Sequence, residues 1–388
     1  MVKQVFGQYI PTRIFFGNGE IKRMATEKLP GRKAMIVISS GTSMRKFGYL
    51  DKLTQALDAQ KIPYVIYDKI LPNPIREHVM EAATICREEG CDFIIGLGGG
   101  SSIDSAKSIA IMARNDGDYW DYISGGSGKA KPITKGVLPI IAIPTTAGTG
   151  TEADQWTVIS NGEEKIGFGT DETFPTISIV DPELMVSVPP HLTAYQGFDA
   201  LFHSVEGYLA NIASPLSQMY SLKSIELIAS NLTKAVKDGT DLEARANVAL
   251  GSMLAGMVEA TSCTISQHAL EHAMSGLFPK LPHGAGLIII SEAYLSSFLN
   301  DVPERYKEMA QAMTGKRSDD PEDFIRALVQ LQKDCGVYDL KFSDWGATEA
   351  DFPRIVANAR ETMTMLFYLD PRPLSNPELI NIFEKSFR

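Results

Sequence analysis

Apolar runs and segments of helical period alternate through the first half of the chain. Continuous apolar runs predict strands buried on both faces, and apolar residues at helical spacing predict helices between them. The predicted strands lie at 13–16, 34–39, 64–67, 92–97, 138–143 and 176–180, and the predicted helices at 46–60, 76–89 and 102–114. Strands joined by helices in this order indicate a parallel sheet with crossover helices.

The pattern changes after residue 182, where strand-like runs stop. The later periodic segments have helical spacing and lie at 193–210, 215–236, 242–260, 266–277, 286–298, 303–313, 323–335 and 351–363. Residues 182–190 contain three prolines and little periodicity, so we expect the connection between two domains there. The sequence therefore predicts an α/β domain over 1–181 and an all-α domain over 182–388.

Composition narrows the class of protein. A chain of 388 residues is long enough for two domains. The net charge of −10 argues against nucleic acid as a partner, and no apolar run is long enough to span a bilayer. Four dispersed cysteines form no CxxC pair, so we expect reduced thiols. Since no signal-peptide pattern is present, we expect a cytoplasmic protein.

Two loops rich in glycine or hydroxyl side chains follow predicted strands. Gly98-Gly99-Gly100-Ser101 ends one strand and opens a helix. Glycines let backbone N–H groups approach an anion, and the helix N-terminus adds partial positive charge, so this loop predicts a pyrophosphate site. Residues 144–152 follow the next strand and hold four threonines, which predicts a second cofactor contact. A plain capped turn is the alternative interpretation of each loop.

The loop after the 34–39 strand bears on the choice of dinucleotide. Ser39, Gly41 and Ser43 lie in this loop, and Arg45 and Lys46 follow. In nucleotide-binding folds an acid at this place binds the adenosine ribose hydroxyls, whereas hydroxyls with a cation suit a 2′-phosphate. The absence of an acid in the loop favours NADP(H) over NAD(H). The alternative is a polar helix cap followed by a solvated basic pair.

Four of the six histidines fall between residues 199 and 283. Asp199 and His203 are four residues apart, as are His268 and His272, so each pair projects from one face of a helix. His283 follows in a Pro-His-Gly turn. A carboxylate with several imidazoles is a donor set for a divalent metal such as zinc, iron or nickel. Scattered helix-surface residues are the alternative.

Taken together, these motifs resemble the iron-containing (group III) alcohol dehydrogenases, which are related to glycerol dehydrogenase and dehydroquinate synthase. The matching pieces span essentially the whole chain. They are Gly98-Gly99-Gly100-Ser101 with Asp104 and Lys107, residues 144–152, Lys165, Asp181-Pro182, Asp199-Ala200 with His203, His268 with His272, Pro282-His283-Gly284, and Asp370-Pro371 with Asn376-Pro377.

The resemblance implies a Rossmann-like N-terminal domain, a helical C-terminal domain and at least a homodimer. It implies hydride transfer between NAD(P)H and a small aldehyde or primary alcohol, with Fe²⁺ or Zn²⁺ polarising the substrate oxygen. The implied metal ligands are Asp199, His203, His268 and His283, and His272 is implied in proton relay or nicotinamide placement. The implied cofactor contacts are Gly99, Gly100, Ser101, Asp104, Thr145, Thr146, Thr149 and Lys165, to which the loop analysis adds Gly98, Ser39, Gly41 and Ser43.

Some positions depart from the usual family pattern. Glu271 directly precedes His272, Glu259 lies in a polar stretch before His268, and Trp156 stands where a smaller pocket residue is common. Arg372 replaces a small residue after Asp370-Pro371. A guanidinium could bind a carboxylate in two-pronged fashion, so we place Trp156, Glu259 and Arg372 in the substrate pocket and expect a preference for a polar or acidic aldehyde. Exposure of Arg372 to solvent, or its pairing with a neighbouring acid such as Glu259 or Asp370, is the alternative.

Three other functions fit parts of the pattern. A lyase of the dehydroquinate synthase type would bind a polyanionic sugar phosphate, but the helical half shows no cluster of Lys and Arg near the metal-type residues. Polyol oxidation of the glycerol dehydrogenase type needs the same donor set. A non-catalytic nucleotide-sensing module would need no metal, so the Asp and His pattern argues against it.

Overall fold

The computed structural model describes residues 5–387. Its strands are β1 (Arg13–Phe16), β2 (Ala34–Ser39), β3 (Tyr64–Ile70), β4 (Phe93–Gly98), β5 (Ile140–Pro144), β6 (Thr157–Asn161), β7 (Glu164–Phe168) and β8 (Ile177–Val180). Its helices are α1 (Ser43–Lys46), α2 (Tyr49–Ala59), α3 (Arg76–Glu88), α4 (Gly100–Met112), α5 (Pro190–Leu209), α6 (Pro215–Lys237), α7 (Leu242–Thr261), α8 (Ser266–Leu277), α9 (His283–Ser296), α10 (Pro303–Thr314), α11 (Glu322–Asp334), α12 (Phe352–Thr362), α13 (Thr364–Phe367) and α14 (Asn376–Ser386).

A parallel sheet dominates the N-terminal part, as predicted. Six strands pair in the order β1-β8-β5-β4-β2-β3, and every pairing in this sheet is parallel. All residues of β4 and β5 are buried, because helices cover both faces. The chain proceeds from β2 to β3 on one side and from β4 to β5 on the other. The loops that follow β2 and β4 therefore diverge, and such a switch point is where open α/β sheets bind ligands.

The remainder of the chain is mostly helical, also as predicted. Helix α5 contacts α6, α7 and α9, and every residue from Gly197 to Leu209 is buried. A helix enclosed in this way must find internal partners for its polar side chains. Within residues 5–387 no single helix is long and apolar enough to cross a membrane. Among the described helices, only the pair α7 and α8 together has the length and apolar composition of a membrane span, and this pair is bent by 106°.

By compactness the described chain divides into two units. Residues 9–161 and 166–187 form one unit, and residues 162–165 group with the helical unit, which begins at 188. The helical unit also includes residues 5–8. The predicted bounds of 1–181 and 182–388 stay a prediction, because compactness alone does not show independent domains.

Three local differences separate the observed elements from the predicted ones. The helix predicted over 46–60 is two helices, since Gly48 adopts a left-handed conformation with φ of 71° between them. The strands β6 and β7 were not predicted, although Asn161-Gly162 between them is a strong hairpin signal and Gly162 has φ of 62°. Helix α9 begins at His283, three residues before the predicted start.

Candidate functional site

Asp199, His203, His268 and His283 meet inside the helical unit. Helix α5 supplies the first two, α8 the third and the start of α9 the fourth. The Asp199 Oδ1 atom lies 3.6 Å from His203 Nε2, 3.6 Å from His268 Nε2 and 3.3 Å from His283 Nε2. One donor atom from each residue lies within 4.8 Å of all the others. This spacing could hold a single metal ion.

The polar atoms that face one another in this cluster fit a cation. Asp199 Oδ1 and His268 Nε2 are both buried, and neither has a hydrogen-bond partner within residues 5–387. Burial opposes ionisation of Asp199, but the imidazoles of His203 and His283 hold its pKa well below the usual range. A metal ion would satisfy both this carboxylate oxygen and this imidazole nitrogen.

The close approach of α9 to α5 places His283 in the cluster. A Cβ atom at position 284 would lie 2.1 Å from the carbonyl oxygen of Tyr195 on α5. Only glycine fits there, so Gly284 allows the first turn of α9 to contact α5. In the Pro-His-Gly turn, the histidine therefore supplies a donor atom and the glycine allows the close packing of α9 on α5.

His272 lies one turn of α8 after His268 and differs from it in charge state. Burial, together with the positive charges of Lys165 and His283, holds the pKa of His272 well below its usual range. Its Nδ1 atom is buried and has no hydrogen-bond partner among the described residues. Donor atoms of Glu271, His272 and His283 also lie within 4.8 Å of one another. His272 is thus a neutral imidazole beside the first cluster and a member of a second, overlapping one.

A second layer of buried glutamates contacts the imidazoles, and sequence analysis missed this role. Glu206 Oε1 lies 2.5 Å from His268 Nδ1, and Glu271 Oε2 is hydrogen-bonded to His283 Nδ1. Both carboxylates are fully buried. Burial opposes protonation of His268, but Glu206 and Asp199 outweigh it and raise the pKa of His268 to about 10 in the absence of metal. The position of Glu206, one turn after His203 on a buried helix, was the available sequence signal.

Lys165, predicted as a cofactor contact, lies beside this cluster. It lies on β7, in the stretch that groups with the helical unit. Its Nζ atom donates to Ser275 Oγ at 2.8 Å and lies 3.5 Å from Glu271 Oε2. Its contacts are therefore with the second layer around His283.

The three residues placed in the substrate pocket have different surroundings. Glu259 Oε1 lies 3.6 Å from His203 Nε2, so this carboxylate borders the cluster. Trp156 forms hydrogen bonds through its backbone: its N–H donates to the Asp154 carboxylate, and its carbonyl accepts from Lys107 Nζ.

Arg372 does not have the contacts expected of a substrate-binding guanidinium. It forms ion pairs with Asp301 at 3.1 Å and Glu378 at 2.9 Å, and it donates to the carbonyls of Ser297 and Pro373. Because the donors are used within the protein, these contacts favour the alternative of pairing with neighbouring acids. The partners are Asp301 and Glu378 rather than the predicted Glu259 or Asp370.

The loops after β4 and β5 pack against each other in the α/β unit. The Thr145 N–H donates to the Gly98 carbonyl at 2.9 Å. A Cβ atom at position 100 would lie 2.5 Å from Thr149 Cγ2, so Gly100 is needed for this approach. Gly99 is the N-cap of the 13-residue helix α4, and no side chain caps it. This leaves a helix N-terminus whose N–H groups suit a phosphate. The structure thus brings together the predicted contacts Gly98, Gly99, Gly100, Thr145, Thr146 and Thr149.

Asp104 and Ser101 have internal partners that the cofactor prediction did not foresee. The Asp104 carboxylate accepts from Thr151 Oγ1 at 2.8 Å and from the Val158 N–H at 3.0 Å. Ser101 Oγ donates to the Pro72 carbonyl. Asp104 is also buried on α4, and its contacts hold the threonine loop and β6. Its direct contact with a cofactor stays a prediction.

The loop after β2 lies at the switch point of the sheet. Ser39 is half-buried at the end of β2, Gly41 is exposed, and Ser43 is the first residue of α1. Arg45 pairs with Asp68 of β3 at 2.6 Å. An acid from the neighbouring strand therefore contacts the cation that the sequence assigned to a 2′-phosphate.

Comparison with known proteins matches the whole chain. A family model described as iron-containing alcohol dehydrogenase matches residues 11–182, and the model for the C-terminal part of that family matches residues 193–387. A 1,3-propanediol dehydrogenase from Klebsiella pneumoniae is 34% identical over all of both chains. A choline dehydrogenase from Bacillus subtilis is 34% identical, over 97% of this chain and 92% of that protein. A solved archaeal alcohol dehydrogenase from a Red Sea brine pool has a TM-score of 0.95 at 32% identity, with both chains covered completely.

Proposed function

Because the chain belongs to the iron-containing alcohol dehydrogenase family, and is thus an oxidoreductase acting on alcohols, we propose that it transfers hydride between NAD(P)H and a small aldehyde or primary alcohol in a metal-dependent reaction. The observation that carries the proposal is the buried Oδ1 atom of Asp199. It has no hydrogen-bond partner within residues 5–387 and faces the Nε2 atoms of His203, His268 and His283.

The ligands of the proposed metal are Asp199, His203, His268 and His283. One carboxylate with three imidazoles suits Fe²⁺ and also accepts Zn²⁺. A cation bound there would act as a Lewis acid on the substrate oxygen and lower the pKa of an alcohol.

In this proposal His272 exchanges the proton of the substrate hydroxyl. Its low pKa keeps the imidazole neutral, and its buried Nδ1 has no partner among the described residues. A neutral imidazole can accept the proton of a substrate hydroxyl and return it to an alkoxide in the reverse direction. The glycine-rich loop at the start of α4 would hold the pyrophosphate of the nucleotide, whose nicotinamide accepts or donates the hydride.

A single set of assays tests the function. Metal-free protein should be loaded with Fe²⁺ or Zn²⁺, and NAD(P)H turnover measured with a panel of small aldehydes while bound metal is quantified. We expect net turnover proportional to metal content. Metal-loaded protein with no net turnover on any aldehyde or alcohol would contradict the proposal and favour a lyase or a sensor, and turnover restricted to polyols would indicate the glycerol dehydrogenase type.

We propose that NADP(H) is preferred over NAD(H), because Ser39 rather than an acid ends β2. Ser39→Asp should shift the ratio of kcat/KM values towards NADH by at least about fivefold, since unit charges about 4 Å apart repel by roughly 1–4 kcal/mol. Asp68→Asn is the matched variant. It removes the acid that pairs with Arg45 and should strengthen the NADPH preference. A wild-type ratio that favours NADH would contradict this proposal.

The contacts of Arg372 and Glu259 argue against the predicted preference for an acidic aldehyde. We propose a polar substrate that is neutral or cationic, because the carboxylate of Glu259 borders the cluster and repels an anion. The names of two relatives, 1,3-propanediol dehydrogenase and choline dehydrogenase, are consistent with this proposal.

Two aldehydes of similar length test this preference. The wild type should prefer butanal to succinic semialdehyde in kcat/KM, and Glu259→Gln should raise the relative value for the acid by at least about fivefold. Arg372→Ala should leave the ratio unchanged, since its guanidinium is paired with Asp301 and Glu378. A preference for the acid that disappears in Arg372→Ala would restore the original prediction.

A further inference from the structure

The two buried glutamates of the second layer have different neighbours. Glu206 accepts from the backbone N–H groups of Ile265 and His268 as well as contacting His268 Nδ1. Glu271 Oε2 contacts His283 Nδ1 and also lies near the ammonium group of Lys165. In the described contacts, His283 therefore has both a carboxylate and an ammonium group beside its Nδ1 atom, whereas His268 has only a carboxylate there.

The position of Lys165 makes it a competitor for His283. Its Nζ atom lies 3.5 Å from His283 Nδ1 and 3.5 Å from Glu271 Oε2. Its ammonium is almost completely buried, and the hydrogen bond to Ser275 Oγ is 2.8 Å long. An ammonium group is only a donor, so it can hydrogen-bond to Nδ1 only when this nitrogen carries a lone pair.

The tautomer of a neutral imidazole decides whether it can bind a metal. His283 Nε2 lies 3.3 Å from Asp199 Oδ1, beside the proposed metal position. To bind a metal there, Nε2 must hold the lone pair and Nδ1 the proton. A carboxylate at Nδ1 favours this tautomer, because it accepts the Nδ1 proton. An ammonium at Nδ1 favours the opposite tautomer, in which Nε2 carries the proton and cannot ligate.

We propose that Glu271 is a positioning residue that selects the metal-binding tautomer of His283 against the competing donor Lys165. This inference rests on the proposed metal site and adds a role for a carboxylate that departs from the usual family pattern. Lys165 in turn balances the charge of Glu271 inside the protein, which allows a fully buried carboxylate at this place.

A double-mutant cycle on Zn²⁺ binding tests the proposal without measuring activity. The four proteins are the wild type, Glu271→Ala, Lys165→Met and the double variant, and Zn²⁺ dissociation constants come from competition with a chromophoric chelator. Glu271→Ala should weaken binding by roughly ten- to a hundredfold, as for other lost partners of ligand histidines. The double variant should bind several-fold more tightly than Glu271→Ala alone, because the competing donor is gone.

Independent effects of the two substitutions on the Zn²⁺ dissociation constant would overturn the proposal. If Glu271 were only structural, its loss would weaken Zn²⁺ binding by the same factor with or without Lys165. Glu206→Ala is the matched control, because the described contacts of Lys165 do not include Glu206 or His268. Lys165→Met should not rescue this variant. If Glu271→Ala does not fold, Glu271→Gln replaces it, and its weaker loss should also be relieved by Lys165→Met. Failure of the wild type to bind one Zn²⁺ would instead contradict the proposed function itself.

Discussion

His268→Ala and His283→Ala should each lose bound metal and activity while the fold is retained. Each substitution removes one of the four donors that converge on the proposed site. If a structural zinc site stabilises by roughly 10–16 kcal/mol, one of four ligands contributes about 2.5–4 kcal/mol, so metal affinity should fall on the order of a hundred- to a thousandfold. Metal content after dialysis, turnover and circular dichroism on the same samples measure the effect.

His191→Ala is the control for this prediction. His191 is exposed in the first turn of α5, on the helix that carries Asp199 and His203. Its loss should change neither metal content nor turnover. A metal-free His283→Ala protein with full activity would contradict the ligand assignment, and so would equal metal loss in His191→Ala.

His272→Ala should retain the metal and turn over slowly. In our proposal His272 exchanges a proton with the substrate and is not a ligand, so its loss should lower kcat by roughly a hundred- to ten-thousandfold. Metal content and kcat measured side by side separate the two roles. His272→Gln should show the same retained metal, because His272 is not one of the four donors around Asp199.

The second cluster of donors makes this experiment decisive. Glu271, His272 and His283 also have donor atoms within 4.8 Å of one another. If the metal were bound there, His272→Ala would lose it and Asp199→Asn would keep it. Retained metal in His272→Ala together with lost metal in Asp199→Asn supports the cluster around Asp199 as the site.

Much of the fold follows from local pattern. The apolar runs at 34–39 and 92–97 correspond to two neighbouring interior strands of the parallel sheet, because strands buried on both faces need continuous apolar sequence. The helical period predicted α8 with its observed bounds. Spacing also placed Asp199 with His203 and His268 with His272, since residues four apart share a helix face. The family was identified from these motifs and is confirmed by the comparisons.

Contacts between segments that are distant in sequence depend on how helices and strands pack, and the spacing of residues along the chain does not predict this packing. The sequence placed Lys165 with the cofactor loops, but β7 brings it to Glu271 and Ser275. It assigned Arg372 to a substrate, but Asp301 and Glu378 bind its guanidinium.

For Lys165, burial explains the difference. A charged side chain enclosed by the protein must be paired, and the nearest partner in space is set by how helices and strands meet. The sequence alone therefore determined most of the elements, the family and the group of metal-type donors. Only the tertiary structure decided which carboxylate faces which imidazole nitrogen.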